Sequence, residues 1–321
     1  MAPPLTLGSQ YAGGAYSFPK VEGRGDGVFC YFCGMEYWLG DNVVAFSTER
    51  DEELPFYVVQ PHQVHGCVIR EVTDPLTTRE ELEGVDALIT DVPGVAISVR
   101  TADCIPVLLY DPVHRAVAAV HDGWRGTVQR LSQKVIAEMQ KKYGTAPSQL
   151  KAVIGPGIGP DSFQVGAEVV EAFRGAGFPM AKILQDRGPK APTVENPMSG
   201  GLHIDLWTAN KWLLEQSGVG SADIQVAGIC TYLNNDRFFS ARREGLKCGR
   251  IINVISILNS ESIPPTPLPN ARRKRTAAQR GNNENPQLAQ GSAAGKEGGA
   301  DGAGGVDGGS GIADANQMYQ H

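Results

Sequence analysis

Two rhythms of apolar and polar positions run along this chain, one of period two and one of period 3.6. Short apolar runs bounded by turn residues predict strands over residues 43–47, 57–59, 68–72, 87–90, 95–99, 107–110, 116–120, 152–154, 224–227 and 251–258. Two segments carry helical spacing instead. Over 127–143 the side chains of Val128, Leu131, Val135, Ile136 and Met139 fall on one stripe. Over 206–216 the stripe is Leu206, Trp207, Asn210, Leu213 and Leu214, with Gly218 as a stop. Strands outnumber helices and do not alternate with them one for one. The pattern predicts an α/β fold, a single layered domain of mixed β-sheet with packed helices, and not a doubly wound one.

Large apolar residues thin out near residue 258. From Asn259 the chain is rich in Pro, Gly, Ala, Asn and Gln, with almost no large apolar side chain before Met318 and Tyr319. Such a stretch cannot bury enough surface to offset its ordering entropy, which predicts a disordered low-complexity tail over 259–321. The expected organisation is therefore an N-terminal segment (1–41), one core domain (42–258) and the tail.

A net charge of -6 gives no reason to expect nucleic acid as a main partner. The basic cluster Arg272-Arg273-Lys274-Arg275 reads as a solvated charge run in the tail. Met1 to Lys20 lacks the basic start and apolar centre of a signal peptide, and no window approaches the ~20 apolar residues of a membrane span. The chain is expected in the cytoplasm, with a small-molecule substrate and neither nucleic-acid nor membrane partners; its oligomeric state stays open. Six cysteines in a chain this long do not make a disulfide framework. Cys30-Tyr31-Phe32-Cys33 has CxxC spacing, but its aromatic neighbours and the lack of a second CxxC point to packing.

Candidate chemistry gathers in three short segments: His65-Gly66, Thr101-Ala102-Asp103-Cys104 and His121-Asp122-Gly123-Trp124-Arg125-Gly126. Each puts one borderline or soft metal ligand beside a turn or strand end. Two histidines and a cysteine fill three tetrahedral corners and leave the fourth open, the ligand count of a catalytic zinc site. Spacing alone favours three unrelated buried polar residues over a metal triad.

A longer set of ordered motifs surrounds these residues. Pro61-His62-Gln63-Val64-His65-Gly66, Asp86-Ala87-Leu88-Ile89-Thr90-Asp91, the Thr101 to Val107 run and His121 to Gly126 come first. Ile154-Gly155-Pro156-Gly157-Ile158, His203-Ile204-Asp205-Leu206-Trp207, Gly228-Ile229-Cys230-Thr231 and Arg237 to Arg243 follow. Across about residues 42–257 the chain resembles the YfiH/laccase-domain family. That family has been called polyphenol oxidase or multicopper laccase-like, and is read as purine nucleoside phosphorylase with adenosine deaminase activity.

The resemblance implies a Zn²⁺ site on His65, Cys104 and His121, with Cu²⁺ as the alternative. Zinc held there would lower the pKa of a water toward ~7, as attack on C6 of adenosine requires. Asp103, beside the thiolate, is a candidate proton shuttle, or else a carboxylate that orients His65 or His121. Phosphorolysis needs cations for phosphate, and the candidates are Arg125 at a helix start, Arg50 in the first active-site loop, and Arg242 with Arg243. His62 and Gln63 are candidates for substrate contact; His203 reads as structural and His114 as exposed in a hairpin turn. Where the family usually continues Thr-Arg-x-Gly-Gly, Arg50 is followed by Asp51-Glu52-Glu53, and Asp122 stands where the family has alanine. The main expectation is phosphate-dependent cleavage of adenosine, inosine, guanosine or methylthioadenosine, plus zinc-dependent adenosine deamination. A laccase-like copper polyphenol oxidase, a cell-wall precursor editing factor and a structural zinc domain are the alternatives.

Overall fold

The computed structural model describes residues 34–54, 56–189 and 200–258. The CxxC of 30–33, the basic cluster of 272–275 and the tail all lie outside them.

Strands β1 (Met35–Tyr37), β2 (Val43–Ser47), β3 (Ile69–Glu71), β4 (Ala87–Thr90), β5 (Ala96–Thr101), β6 (Ile105–Asp111) and β7 (Ala116–Asp122) precede helices α1 (Trp124–Val128) and α2 (Leu131–Tyr143). Next come β8 (Lys151–Ile154), β9 (Gln164–Val165), α3 (Ala167–Gly175), α4 (Met180–Ile183), β10 (Leu184–Asp186), β11 (Leu202–Ile204) and α5 (Leu206–Gln216). The last elements are β12 (Ile224–Val226), α6 (Ala241–Glu244) and β13 (Ile251–Ile257).

Six strands form a mixed sheet in the order β12-β8-β6-β7-β4-β3, with parallel pairs at its two edges and antiparallel pairs between. Its central strands are apolar on both faces because both are covered. On one face Ile89, Val107, Leu109, Ala118 and Val120 pack against Leu131, Val135 and Met139 of α2 and Leu213 and Leu214 of α5. On the other, Leu88, Leu108, Val117, Ala119 and Val153 meet Val43, Ala45, Ile97, Val99, Ile255 and Ile257 of a four-stranded sheet ordered β1-β2-β13-β5. Period-two alternation along each central strand therefore feeds two cores at once, and burying these branched side chains contributes about 1.5–3 kcal/mol apiece. A small antiparallel sheet, β10-β11-β9, completes the fold.

Two predicted elements come out differently. Residues 57–59 form no strand: Val59 makes an isolated parallel bridge to Ile97 while the Tyr57 hydroxyl turns to the Thr77 carbonyl. The predicted helix over 127–143 is two helices, because Arg130 takes a left-handed backbone (φ 62°) between them. Its guanidinium lies over Phe178 and Trp212 and donates to the Ala176 carbonyl, contacts that hold this strained joint in place. Among the described residues no helix is long and apolar enough to cross a membrane.

Candidate metal centre and cleft

Pairing of β6 with β7 carries two of the three expected ligands to one place. The register sets Pro106 opposite His121 and Ile105 opposite Asp122, so Cys104, just before β6, comes beside His121 near the end of β7. His65 arrives from the loop before β3. Its ring lies 4.9 Å from that of His121, and the ligand atoms of His65, Cys104 and His121 all fall within 4.8 Å of one another.

One carboxylate organises this meeting. Asp86, fully buried at the start of β4, accepts from His121 Nδ1 at 2.8 Å and from the backbone N–H of His65 at 2.9 Å through Oδ1. Its Oδ2 accepts from the N–H of Gly66 at 2.7 Å and of Val64 at 3.3 Å. Three consecutive backbone donors thus wrap one carboxylate and hold His65 in the left-handed region at φ 62°, where a non-glycine residue needs such support. With Nδ1 of His121 committed to Asp86, its Nε2 is the nitrogen left for an ion. A motif position, Asp86 in Asp-Ala-Leu-Ile-Thr, was visible in the sequence; only the fold reveals its partners.

Electrostatics match the geometry. Burial opposes charge on Asp86, but the His121, Gly66 and Val64 donors outweigh it and hold the carboxyl below its ordinary range. Burial likewise opposes a Cys104 thiolate, yet the imidazoles of His121 and His65 bring the thiol down to about 6. For His121 burial is outweighed by the Cys104 thiolate and Asp86, which push it upward. Close ligand approach also needs an empty flank: a Cβ on Gly123 would stand 2.8 Å from Cys104 Sγ and 3.4 Å from the His65 ring. Two imidazoles and a thiol whose ionisation they favour, converging with an orienting carboxylate behind them, fit a zinc or copper ion.

His65, Cys104 and His121 open into a cleft of about 210 Å³. His62, Gln63 and Arg125 line it as well, and His62 Nδ1 pairs with Glu83 at the rim. Arg79, Arg100 and Arg250 line the same cleft, and no sequence pattern singled them out. Two other candidates go elsewhere. The Arg50 guanidinium donates to the Asn235 and Phe238 carbonyls and to Glu244, and stacks 4.2 Å over Phe239. Arg242 donates to the Gln164 carbonyl and sits over Phe163. Neither belongs to the cleft lining, because the loop after Arg50 and helix α6 use these guanidinium groups as internal ties.

Asp103 needs a correction too. It is buried at φ 83°, and its carboxylate accepts from Thr231 Oγ1 at 2.7 Å and from the Arg242 backbone N–H at 2.6 Å. These contacts fix the Cys104 turn against α6, so the carboxylate that orients a ligand histidine is Asp86. Asp122 points away from its neighbour His121: Ser132 donates to Oδ2, Oδ1 is buried without a partner, and burial pushes the carboxyl up to about 7. His203 is fully buried in β11, whereas His114 is exposed in the β6–β7 turn beside Asp111.

Residues 43–258 match the family described as multi-copper polyphenol oxidoreductase laccase. The chain is 42% identical over 215 residues to a purine nucleoside phosphorylase of Bacteroides thetaiotaomicron, covering 65% of this chain and 76% of that protein. It is also 42% identical over 204 residues to adenosine deaminase RL5 of an unknown prokaryotic organism, covering 62% and 74%. The crystal structure of the hypothetical protein YfiH from Bacillus licheniformis superposes with a TM-score of 0.59 at 26% identity, over 67% of this chain and 92% of that one. The matched domain, the shared fold and the His/Cys/His cluster agree: this chain is a member of the multi-copper polyphenol oxidoreductase laccase family, of the YfiH type.

Proposed function

We propose that the chain is a metal-dependent enzyme of purine nucleosides, cleaving adenosine, inosine, guanosine or methylthioadenosine with phosphate and deaminating adenosine. The observation that carries this reading is the three-ligand cluster of His65, Cys104 and His121 opening into a cleft lined by Arg125, His62 and Gln63. Relatives named purine nucleoside phosphorylase and adenosine deaminase support the same chemistry.

A bound zinc ion would supply Lewis acidity and an acidified water. The chain's own residues do the rest. Asp86 sets the tautomer and direction of His121 and the backbone of His65. Phosphorolysis forms a bond from phosphate oxygen to the ribose C1′ as the bond from C1′ to the purine nitrogen breaks. The departing purine takes the electron pair and a proton. In this reading His62, exposed at the rim beside Glu83, donates that proton and Arg125, in the cleft lining, holds the anion. In deamination, water oxygen adds at C6 and ammonia leaves, with the same His62–Glu83 pair in reach as a proton carrier.

Copper-dependent phenol oxidation is the second reading, favoured by the family's description and by the affinity of a His₂Cys set for copper. Among the described residues, this is one mononuclear cluster, whereas multicopper chemistry needs several ions. The deciding experiment is elemental analysis of protein purified without added metal, then product identification with adenosine, with and without phosphate. Adenine and ribose-1-phosphate appearing only with phosphate supports phosphorolysis. Equal adenine release without phosphate replaces it with hydrolysis, and phenol oxidation tracking copper content favours the second reading.

A further inference from the structure

More positive charge faces the cleft than the chemistry above uses. Arg100 lies near the end of β5, and the β13–β5 register places Ile252 opposite it and Ile251 opposite Thr101. Arg250, the residue before β13, therefore arrives at the same end of the sheet. Arg79 reaches the same cleft from the residue before the short 3-10 turn Glu80–Leu82.

None of these three forms an ion pair with a carboxylate among the described residues. The Arg250 guanidinium donates to the carbonyls of Leu246, Cys248 and Gly249, contacts that fix its direction and leave its charge uncompensated. Gln63 clamps the main chain of Arg100 from both sides, accepting from its N–H at 2.8 Å and donating to its carbonyl at 2.9 Å. Burial, and then the charges of Arg79 and Arg250, hold the half-buried Arg100 guanidinium below its ordinary range. Gathering like charges is unfavourable unless an anion of matching geometry offsets the repulsion. In a chain of net charge -6 the concentration is local.

We propose that Arg79, Arg100 and Arg250 form a phosphate-binding subsite in the cleft shared with the His65–Cys104–His121 centre. Its ligand is a multiply charged phosphate, either inorganic phosphate or the phosphate group of a nucleotide. The guanidinium forks match phosphate oxygens, and the subsite stands where a nucleophile or an anchoring ester would meet the nucleoside. The inference deepens the nucleoside reading and rests on it for which phosphate is taken, but not for whether phosphate binds.

The test is calorimetric titration of the full chain with inorganic phosphate, and separately with adenosine 5′-monophosphate. Arg100→Gln and Arg250→Gln are each expected to weaken binding by about tenfold or more, since each removes charge-assisted hydrogen bonds. Metal content should stay at the wild-type value in both, and the melting temperature should stay there in Arg100→Gln, whereas Arg250→Gln also loses its ties to Leu246, Cys248 and Gly249 and should melt lower. Arg100→Lys, which keeps the charge and loses the fork, should fall between. Arg174→Gln, taken from an exposed pair with Glu171, controls for surface charge and should change nothing. Phosphate binding without nucleotide binding assigns free phosphate, and nucleotide binding without phosphate binding assigns an ester. Binding of neither probe, or unaltered binding in both glutamine variants, overturns the subsite. Phosphorolysis with an unchanged phosphate KM in Arg100→Gln also overturns it while leaving the enzyme reading intact. Arginine-dependent phosphate binding by a protein that turns over no nucleoside sinks only the enzyme reading.

Discussion

Replacing Asp86 by asparagine removes one negative charge and almost no volume, so it isolates what the carboxylate does. Both oxygens are acceptors for two donors each: His121 Nδ1 and His65 N on one, Gly66 N and Val64 N on the other. An amide can serve only one of those sides. Whichever way it turns, its NH₂ faces donors, and each buried donor left without an acceptor costs about 1–3 kcal/mol. If the NH₂ faces the Oδ1 side, His121 loses the partner that fixes its tautomer. If it faces the other side, the turn that holds His65 at φ 62° loses its support. Either outcome disturbs a ligand, and loss of such a partner typically weakens metal binding about 10–100-fold, or about 1.4–2.7 kcal/mol. Competition with a chromophoric chelator reads the affinity, and a thermal melt shows that the variant is folded. A folded Asp86→Asn variant that holds its ion as tightly as wild type would refute the idea that Asp86 orients the centre.

Four further outcomes are expected. Cys104→Ala should lose most of its metal and its deaminase activity with modest loss of fold, whereas Cys67→Ser keeps its metal; one ion per chain in Cys104→Ala, with normal turnover, removes the three-ligand site. Asp122→Ala should retain metal, since Asp122 faces Ser132 and not the cluster, and loss of the ion would place Asp122 in the centre. Glu244, held down to about 2 chiefly by its hydrogen bond from Arg50, is a depressed acid, so its stabilising effect is complete above its ordinary value near 4.5 and disappears as pH falls toward 2. The melting-temperature gap between wild type and Glu244→Gln should therefore close over that window, and a gap independent of pH counts against the pairing. Deleting residues 259–321 should leave folding and turnover nearly unchanged, because β13 closes the four-stranded sheet by Ile257; a large fall in melting temperature would show that the segment docks.

Strong patterns in the sequence marked the central strands. Runs such as 43–47 and 87–90 appear as strands with those bounds, since apolar branched residues between turn signals have few other ways to be buried. Asn210, the polar member of the predicted 206–216 stripe, is fully buried and donates to Thr127 Oγ1 and the Leu206 carbonyl. Less was legible where elements are short. Strands β9, β10 and β11 have two or three residues each, too few to show a period, and α3 packs only Val169, Val170 and Phe173. The left-handed break at Arg130 depends on Phe178, Trp212 and Ala176, far along the chain, so no local signal announces it. The same holds in the cleft. Motifs pointed to His65, Cys104 and His121, while Arg79, Arg100 and Arg250 come from unrelated segments that only strand register and a loop bring together. Arg50 and Arg242 looked suitable by type, and tertiary contacts direct them to carbonyls and Glu244 instead.

The pairing of β6 with β7 also ties chemical accuracy to a property usually associated with folding. His121 and Asp122 are neighbours on one strand and point to opposite faces, so a slip of one residue would exchange an imidazole for a carboxylate at the centre. At the centre only the Asp86 contacts to His121 oppose that slip. Along the strands it is opposed by interlocking of Val107, Leu109, Ala118 and Val120 with one core, and of Leu108, Val117 and Ala119 with the other. Small changes at Ala118 or Ala119, well away from any ligand, would then be recorded in an activity screen as defects in metal chemistry. The sheet acts as the ruler against which the ligands are spaced, and its tolerance sets theirs.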